Sequence, residues 1–528
     1  MKKIVSLLLV LVMLLSMSAC GAASTPETPN TPDTPAAEPA VEFDPADFSE
    51  KVDFSMSFAY MDSAVDYEDA LTKWVEEKFN TDIEITFISN SDHTATVRTW
   101  VNGGTMPNQT VILSLNINEY KDWIDQGLVR ALPDGWEENY PNLKRMIDKT
   151  AIGDFLKVDG KTYAIPHAVF CNFVDVDPIP WATTMYYRAD WAEELGYDFV
   201  GKDTVTFSEF KDYLTACVEK DMAGNGNTIG LSSTVFYTNG LFMNNLGGIQ
   251  YEGFGKNADN TAYQWSPEGN KAVIEAQIAE MREWYKTGLL DADYYNIENT
   301  EAQNRFASGL SAACFAGCHL HGMREFSSVY SQVNSNGDFF DNVETIMITT
   351  DDGTLYTPEQ TNWYSYSLFN PDTTDAQMHR MLAIADWLCT VDGEYTAWMG
   401  IPEVDWKYEA NGSVLSGTEY PSSMMWCFMS IVSDDFSFMS PAANQDHRAR
   451  LIEIYDTLEG ATYVPYSYEY NFHSSELKGQ YSVDIRSKIT ELVVGDTDIA
   501  TGWDAFLTEY EKMVDPLVEE LNTTYCAN

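Results

Sequence analysis

Positive charge is what this chain has least of. Lys and Arg together number 31 against 81 Asp and Glu, a formal net charge of -50. A field of that sign repels nucleic-acid phosphates and anionic lipid surfaces, so no nucleic acid is expected as a partner. It also favours a neutral ligand over a strongly anionic one, although a few arginines focused in a cleft could override it locally. Catalytic signatures are missing: the chain contains no G-x-S-x-G, no H-E-x-x-H and no Walker A run, the usual pointers to a serine hydrolase, a zinc protease or a P-loop NTPase. With this many carboxylates, a pair suited to glycoside cleavage can be placed almost anywhere by chance and carries no weight. No repeat of roughly 20 to 50 residues stands out, which argues against a solenoid or propeller.

A spanning apolar run is absent from the N-terminus as well. Lys2 and Lys3 precede an apolar stretch from Ile4 to Leu15, then the small residues Ser18 and Ala19, then Cys20. That stretch is shorter than the roughly 20 residues a membrane-crossing helix needs, so it reads as an export signal that is removed. Met17-Ser18-Ala19-Cys20 resembles the bacterial lipobox, whose cysteine thiol takes a diacylglyceryl group and becomes the mature N-terminus. The alternative is an ordinary secretory signal with an incidental cysteine. The expected layout is a signal peptide over 1–19, then over 20–50 the lipidated Cys20 and a linker. The protein would be held at the cell membrane by lipid, on the extracytoplasmic face. The linker is written in Ser24 to Ala40, STPETPNTPDTPAAEPA, a threonine-proline repeat with almost nothing to bury. As polyproline-like chain it would reach on the order of 50 Å.

Beyond the linker the chain is long enough for two or three domains, with ample apolar and aromatic content. With Cys20 spent on lipid, Cys171, Cys217, Cys314, Cys318, Cys389, Cys427 and Cys526 remain. An odd number cannot all pair, and their scatter is not that of a disulfide framework, so they are expected mostly as reduced core thiols.

Strand and helix alternate from Val52. Val52 to Tyr60 reads as a strand, Tyr67 to Phe79 as a helix with Leu71, Trp74, Val75 and Phe79 on one face, and Asp82 to Ile88 as a strand at period two. Ala95 to Val101 is a helix stopped by Gly103-Gly104, Thr110 to Leu115 a buried strand, and Ile117 to Gln126 a helix ended by Gly127. Further helices are expected at Ala189 to Leu195, Phe207 to Lys220, Asn270 to Thr287, Ala376 to Thr390 and Thr501 to Val514. The order implies an α/β fold with a largely parallel sheet, whose ligand crevices lie at the carboxyl ends of strands.

Several segments carry, in order, a family resemblance over most of the chain: Asn102 to Asn108, NGGTMPN; Tyr120 to Leu132, YKDWIDQGLVRAL; Asp159 to Pro166, DGKTYAIP; Met185 to Gly196, MYYRADWAEELG. They continue in EWYKTGLLDAD ending at Asp293, Arg305 to Gly309, RFASG, Ala383 to Leu388 with Asp392-Gly393, and Val493 to Tyr510, VVGDTDIATGWDAFLTEY. The series resembles the lipoprotein extracellular solute-binding proteins, family 1, of bacterial ABC importers, in their oligosaccharide-type branch. The resemblance implies a two-lobe periplasmic-binding-protein-like fold (type II) with lobes joined by crossover hinge strands. It places 51–170 with 310–366 in lobe 1 and 171–309 with 367–528 in lobe 2, with crossings near 167–185, 307–316 and 364–371. It implies a monomer that captures a soluble carbohydrate, an oligosaccharide, between its lobes and delivers it to the transmembrane subunits of an ABC permease, with no catalysis and no cofactor. The alternatives are a peptide- or other small-solute-binding lipoprotein of an importer, and a cell-surface glycoside hydrolase.

Sugar rings present apolar C–H faces to Trp and Tyr and hydroxyls to Asn, Asp, Glu and His. The resemblance points to Asn116, Asn118 and Glu119 in the first lobe, residues that could equally cap a helix. It points to Tyr237 and Asn239 in the second lobe, to Trp363 and Tyr364 near a hinge, and to His319 and Trp426 facing the cleft. For the aromatics the competing reading is plain core packing. Cys314, Cys318, His319 and His321 are dense in CFAGCHLH, but the spacing lacks two separated ligand pairs, so no metal is expected there. Asp221 to Leu231, DMAGNGNTIGL, is similar to a calcium loop of some relatives, with Ala223 replacing the second ligand, so retained calcium is not expected.

Overall fold

Short apolar strands followed by one-sided helices build two five-stranded sheets, with smaller two-stranded pairs beside them. The computed structural model describes residues 44–58, 68–89, 92–150, 152–168, 183–318, 320–334, 339–359, 361, 363–408, 410, 414–416 and 445–526. Its first part runs β1 (Phe54–Ser57), α1 (Ala70–Phe79), β2 (Ile83–Ile85), α2 (His93–Gly103), β3 (Gln109–Ile112), α3 (Ile117–Asp125) and β4 (Ala164–Ala168). The middle runs β5 (Thr183–Arg188), β6 (Thr204–Thr206), α4 (Phe207–Glu219), β7 (Ile229–Leu231), α5 (Val235–Asn239), α6 (Lys271–Thr287), β8 (Ser311–Gly317) and β9 (Val343–Thr349). Then come β10 (Tyr356–Pro358), β11 (Trp363–Phe369), α7 (Asp375–Leu388), α8 (Val391–Met399), β12 (Trp406–Tyr408) and β13 (Val414–Ser416). The last described part holds β14 (Thr462–Val464), α9 (Tyr468–Phe472), α10 (Glu476–Gln480), α11 (Ile485–Val494) and α12 (Ile499–Tyr525).

Local chemistry sets these bounds. In α1 the Asp69 carboxylate accepts from the Thr72 amide at 2.9 Å, starting the helix, and Asn80 at φ 47 ends it. Leu71, Val75 and Phe79 are the buried face, at helical spacing. A capping box of Thr206 and Glu209 starts α4, satisfying two orphan amides reciprocally. The last helix is longer than the expected Thr501 to Val514 because Leu517 and Leu521 continue its buried stripe past Pro516.

The first lobe's sheet has the order β2-β1-β3-β11-β4, and the second lobe's the order β6-β9-β5-β8-β7. In the first, β1 pairs in parallel with β2 and β3, while β11 runs antiparallel to β3 and β4. In the second, β5 is antiparallel to β8 and β9, which pair in parallel with β7 and β6. The chain leaves one sheet at a strand's carboxyl end and re-enters the other as the reversed strand. The carboxyl ends of both sheets therefore adjoin the same passages, the end at which open α/β sheets bind ligands.

These pairings correct the expected division of the chain. Within 310–366, β8 and β9 are strands of the second sheet, held on both sides by their ladders, whereas β11 and α7 belong to the first lobe, with Phe369, Met378, Met381 and Leu382 in its core. The stretches 307–316 and 364–371 accordingly lie within a lobe. The chain passes from the first sheet to the second after β4 and before β5, where the expected crossing near 167–185 lies mostly outside the described residues, and it returns from β9 through β10 to β11. Beyond β13 residues 417–444 lie outside the described ones, and the helix Gln445–Glu459 that follows packs Leu451, Tyr455 and Leu458 with Tyr186 and Phe306 of the second lobe. Between the sheets β10 pairs in parallel with β14. Gly248 lies beneath it at φ +62, where an added Cβ would come within 2.5 Å of the Tyr356 ring.

Candidate functional site

The second sheet's strand ends place aromatic rings against the hinge strand. Thr234 caps α5, its hydroxyl accepting from the Tyr237 amide, and the helix then passes directly into a π-helical turn, Gly240–Asn245, a rare form that occurs frequently at functional sites. Phe236, Tyr237, Asn244, Tyr251, Phe315 and Pro358 surround a recess of about 30 Å³, with room for about two waters. The Tyr237 ring meets Phe236 at 5.3 Å and Phe315 at 6.3 Å, both edge to face. Burial raises the Tyr237 hydroxyl above the ordinary tyrosine value, so it stays a neutral donor. Arg486, paired with Glu252 at 2.6 Å, lies 5.0 Å over the Phe236 ring, a cation–π contact that fixes the ring's position.

The strap after β14 joins this recess to the first lobe. Trp363, at the start of β11, is nearly buried; its indole N–H donates to the Tyr366 hydroxyl at 2.7 Å, and its ring meets Tyr466, Tyr468 and Phe472, each at 5.7 Å. Glu359, next after β10, accepts from the Tyr466 amide and the Tyr468 hydroxyl at 3.0 Å each. Burial, and then the Glu359 carboxylate, push the Tyr466 hydroxyl up to about 12. The arrangement is a set of half-buried phenols fixed by one carboxylate, with apolar faces for stacking and hydroxyls for hydrogen bonds.

Of the residues singled out in sequence, Tyr237 stands in the recess. Asn239, two residues on, is fully buried, with no partner among the described residues for either polar atom of its amide. Trp363 is the packed centre of the aromatic nest, and Tyr466, Tyr468 and Phe472 cover it. Asn116 caps α3, accepting from the amides of Asn118 and Glu119, while Glu119 pairs with Arg98 at 2.8 Å. Asn118 accepts from the Ser474 hydroxyl and donates to the Ser475 carbonyl. These three line a polar groove of about 560 Å³ between α2, α3 and Gly479. Tyr364 is in β11, its side chain outside the description, and Cys20, His319 and Trp426 lie outside the described residues. In the Asp221 loop the carboxylate accepts from the Gly226 amide and the Thr228 hydroxyl, closing the turn with protein donors. Cys217 and Cys314 are free and buried, Cys526 is free and half-buried, and Cys318 and Cys389 are buried. Glu359, Tyr466 and Tyr468 escaped sequence reasoning; the only available signal was the aromatic density of YVPYSYEYNF.

A scan against protein-family models and a search of curated proteins find no match for the chain. Solved structures do match along nearly the whole of their length. The alginate-binding protein AlgQ2 without calcium ion is 13% identical with a TM-score of 0.65, over 90% of this chain and 98% of that one. The S. pneumoniae ABC-transporter substrate-binding protein FusA in complex with kestose is 14% identical with a TM-score of 0.66, over 90% and 99%. An HMO-binding, ABC-transporter-associated solute-binding protein from Bifidobacterium longum infantis is 13% identical with a TM-score of 0.60, over 89% and 97%. The class this defines is one of fold: the chain is an α/β protein of the two-lobe, periplasmic-binding-protein-like kind.

Proposed function

We propose that this chain is an extracellular substrate-binding protein that captures a neutral oligosaccharide between its lobes and delivers it to the membrane subunits of an ABC importer. In this reading it is held to the membrane by lipid on Cys20 and acts as a monomer without catalysis. The observation that carries it is the set of aromatic rings at the strand ends beside the hinge: Phe236 and Tyr237 from the second lobe, Tyr466 and Tyr468 from the strap that covers Trp363. Flat rings with fixed phenol hydroxyls and a carboxylate suit a hydroxylated, uncharged ring better than an ion. The alginate-binding, kestose-bound and HMO-binding proteins share this fold, which supports the reading without fixing the sugar. The net charge of -50 favours a neutral ligand in the same direction.

Ligand held by both lobes favours the closed form through its differential affinity for it. Thermal-shift screening of sugars and peptides against the lipid-free body comes first, and stabilisation by peptides alone would end the sugar assignment. With a binding sugar in hand, Tyr237→Ala and Tyr468→Ala should each weaken affinity about tenfold or more, about 1.4 kcal/mol, while the unliganded protein still unfolds cooperatively. Solution scattering at saturating sugar should show compaction; unchanged dimensions would remove the clamp.

A further inference from the structure

A second aromatic concavity opens on the outer face of the first lobe. There α1, α7, α8 and the start of β12 enclose about 320 Å³, within the roughly 300–1,000 Å³ of small-molecule sites. The wall is made of Trp74, Trp387, Trp406 and Tyr408. Trp74 and Trp387 stand 5.9 Å apart at 42°, and Trp406 meets Tyr408 at 5.5 Å and 83°. The rings are set from behind: Trp387 rests on Phe79 at 5.5 Å, Trp406 on Tyr395 at 5.4 Å, and the Trp406 indole N–H donates to the Gly400 carbonyl at 2.8 Å. Of its lining Tyr408 is 48% exposed, and Val391 and Val404, next in sequence to the lining residues Asp392 and Glu403, are 62% and 75% exposed, three of the most exposed large apolar side chains among the described residues.

Polar groups are interleaved with the rings. Lys78 Nζ lies 5.1 Å from the Trp387 ring and 5.6 Å from that of Trp74. Glu403 is carried on a turn in which it adopts φ +64, a left-handed backbone that is strained for a non-glycine residue and clusters at functional sites. That turn is locked by its own amide donating to the Trp406 carbonyl at 2.7 Å and by the Ile401 amide donating to Asp405 at 2.8 Å. Neither Lys78 nor Glu403 has an ion-pair partner among the described residues, although both line the concavity together with Asp392.

We infer that this concavity is a second, surface carbohydrate site that takes one neutral sugar ring. Charge decides against the other occupants. An anion would meet Asp392 and Glu403, a cation would meet Lys78, and a wholly apolar partner would strip water from all three without returning hydrogen bonds. A protein partner would need a flat patch of about 800 Å² rather than a small hollow. A pyranose supplies both requirements, C–H faces for the fixed indoles and hydroxyls for the carboxylates and the ammonium. The inference is independent of the cleft.

The test uses the mature-length chain labelled with 5-fluorotryptophan and titrated with cellotetraose, maltotetraose, xylotetraose and mannotetraose, each followed by fluorine NMR. Single Trp→Phe replacements assign the signals of Trp74, Trp406 and, as the hinge reporter, Trp363. At least one sugar should shift the Trp74 and Trp406 signals saturably, and Tyr408→Ala should raise its half-saturating concentration about tenfold while leaving the Trp363 response to any cleft ligand unchanged. If Tyr408→Ala disturbs the turn, Trp74→Ala on the opposite wall should give the same loss. No shift of Trp74 or Trp406 with any of the four at about 10 mM, or a shift that survives both variants, overturns the site. A silent Trp363 with responding Trp74 would instead count against the cleft alone.

Discussion

The two sheets share a plan and differ in what fills their centres. Each has five strands, one of them the reversed strand that enters from the other lobe, β11 in the first and β5 in the second. In the first lobe that strand buries the serines Ser365 and Ser367 among its apolar residues. Ser365 and Ser367 hold the two ring nitrogens of His167 at 2.7 and 2.8 Å, the Gln109 amide donates to Ser367 at 2.8 Å, and the Ser57 hydroxyl donates to Thr110 at 3.3 Å. In the second lobe β5 carries Met185, Tyr186 and Tyr187 into apolar cores on both faces. A buried polar ladder contributes little net stability bond by bond but is costly to leave unmade, whereas an apolar centre gains with every ring it buries. The first sheet should therefore be sensitive to acid and the second to loss of volume.

The largest effect expected comes from the second sheet's side of this contrast. Trp284 in α6 is fully buried, stacked on Phe207 at 5.3 Å and 11° and meeting the edge of Phe242 at 5.2 Å. Trp284→Ala should destabilise the second lobe by about 3–5 kcal/mol, read by denaturant unfolding with hydrogen exchange to locate the loss. A cost below about 1 kcal/mol would mean that the lobe repacks, and the contrast would fail on this side.

A smaller effect tests the first sheet. Burial pushes His167 down to about 3 from its ordinary 6.5, so it stays neutral in the native sheet while the unfolded chain takes up a proton below about pH 6.5. The unfolded state then binds more protons, and the stability this histidine contributes is full above about pH 6.5 and is lost as pH falls toward 3. The loss is about 1.4 kcal/mol per pH unit. His167→Gln, which can still bridge the two serines, should abolish that slope, leaving the variant relatively more stable by about 2–3 kcal/mol at pH 4.5 than at pH 7. Parallel pH profiles for the two proteins would show that the ladder does not titrate this way. The strands of the second sheet contain no histidine, so hydrogen exchange there should not share the effect.

Much of the fold was legible because it is local. The helices Ala189–Leu195 and Phe207–Glu219 fall where their apolar spacing and caps put them, and the first strands and helices differ from expectation by a few residues at their ends. Lobe membership was not legible, because it depends on which sheet accepts β8, β9 and β11. Apolar runs such as SAACFAG and VETIMIT would suit either. The site was legible in part. Tyr237, which lines the recess, was singled out by the family resemblance, but Trp363 gives no sign in sequence that Tyr466 and Tyr468, about a hundred residues later, cover it. Asn116 could be read as a cap or a ligand, and in the structure it both caps α3 and lines the polar groove.

The smallest effect concerns the strap itself, which belongs by contact to both halves. On the second lobe's side, Glu469 pairs with Lys256 at 3.0 Å, Ser467 bonds Gln250 at 3.0 Å and Tyr470 packs on Phe254 at 4.8 Å. On the first lobe's side, Phe472 stacks on Phe155 at 5.0 Å, and Asn118 holds Ser474 and Ser475 at 2.7 and 2.8 Å. Asn118→Ala removes both of the last bonds at a partly exposed site, a net cost of about 1 kcal/mol. If the strap opens on its own, its amides from 466 to 480 should exchange about fivefold faster, and the denaturation midpoints of both lobes should hold. If instead the first lobe's midpoint falls by the full amount with no selective exchange, the strap is part of that lobe's cooperative unit. The two sheets would then differ in size as well as in chemistry.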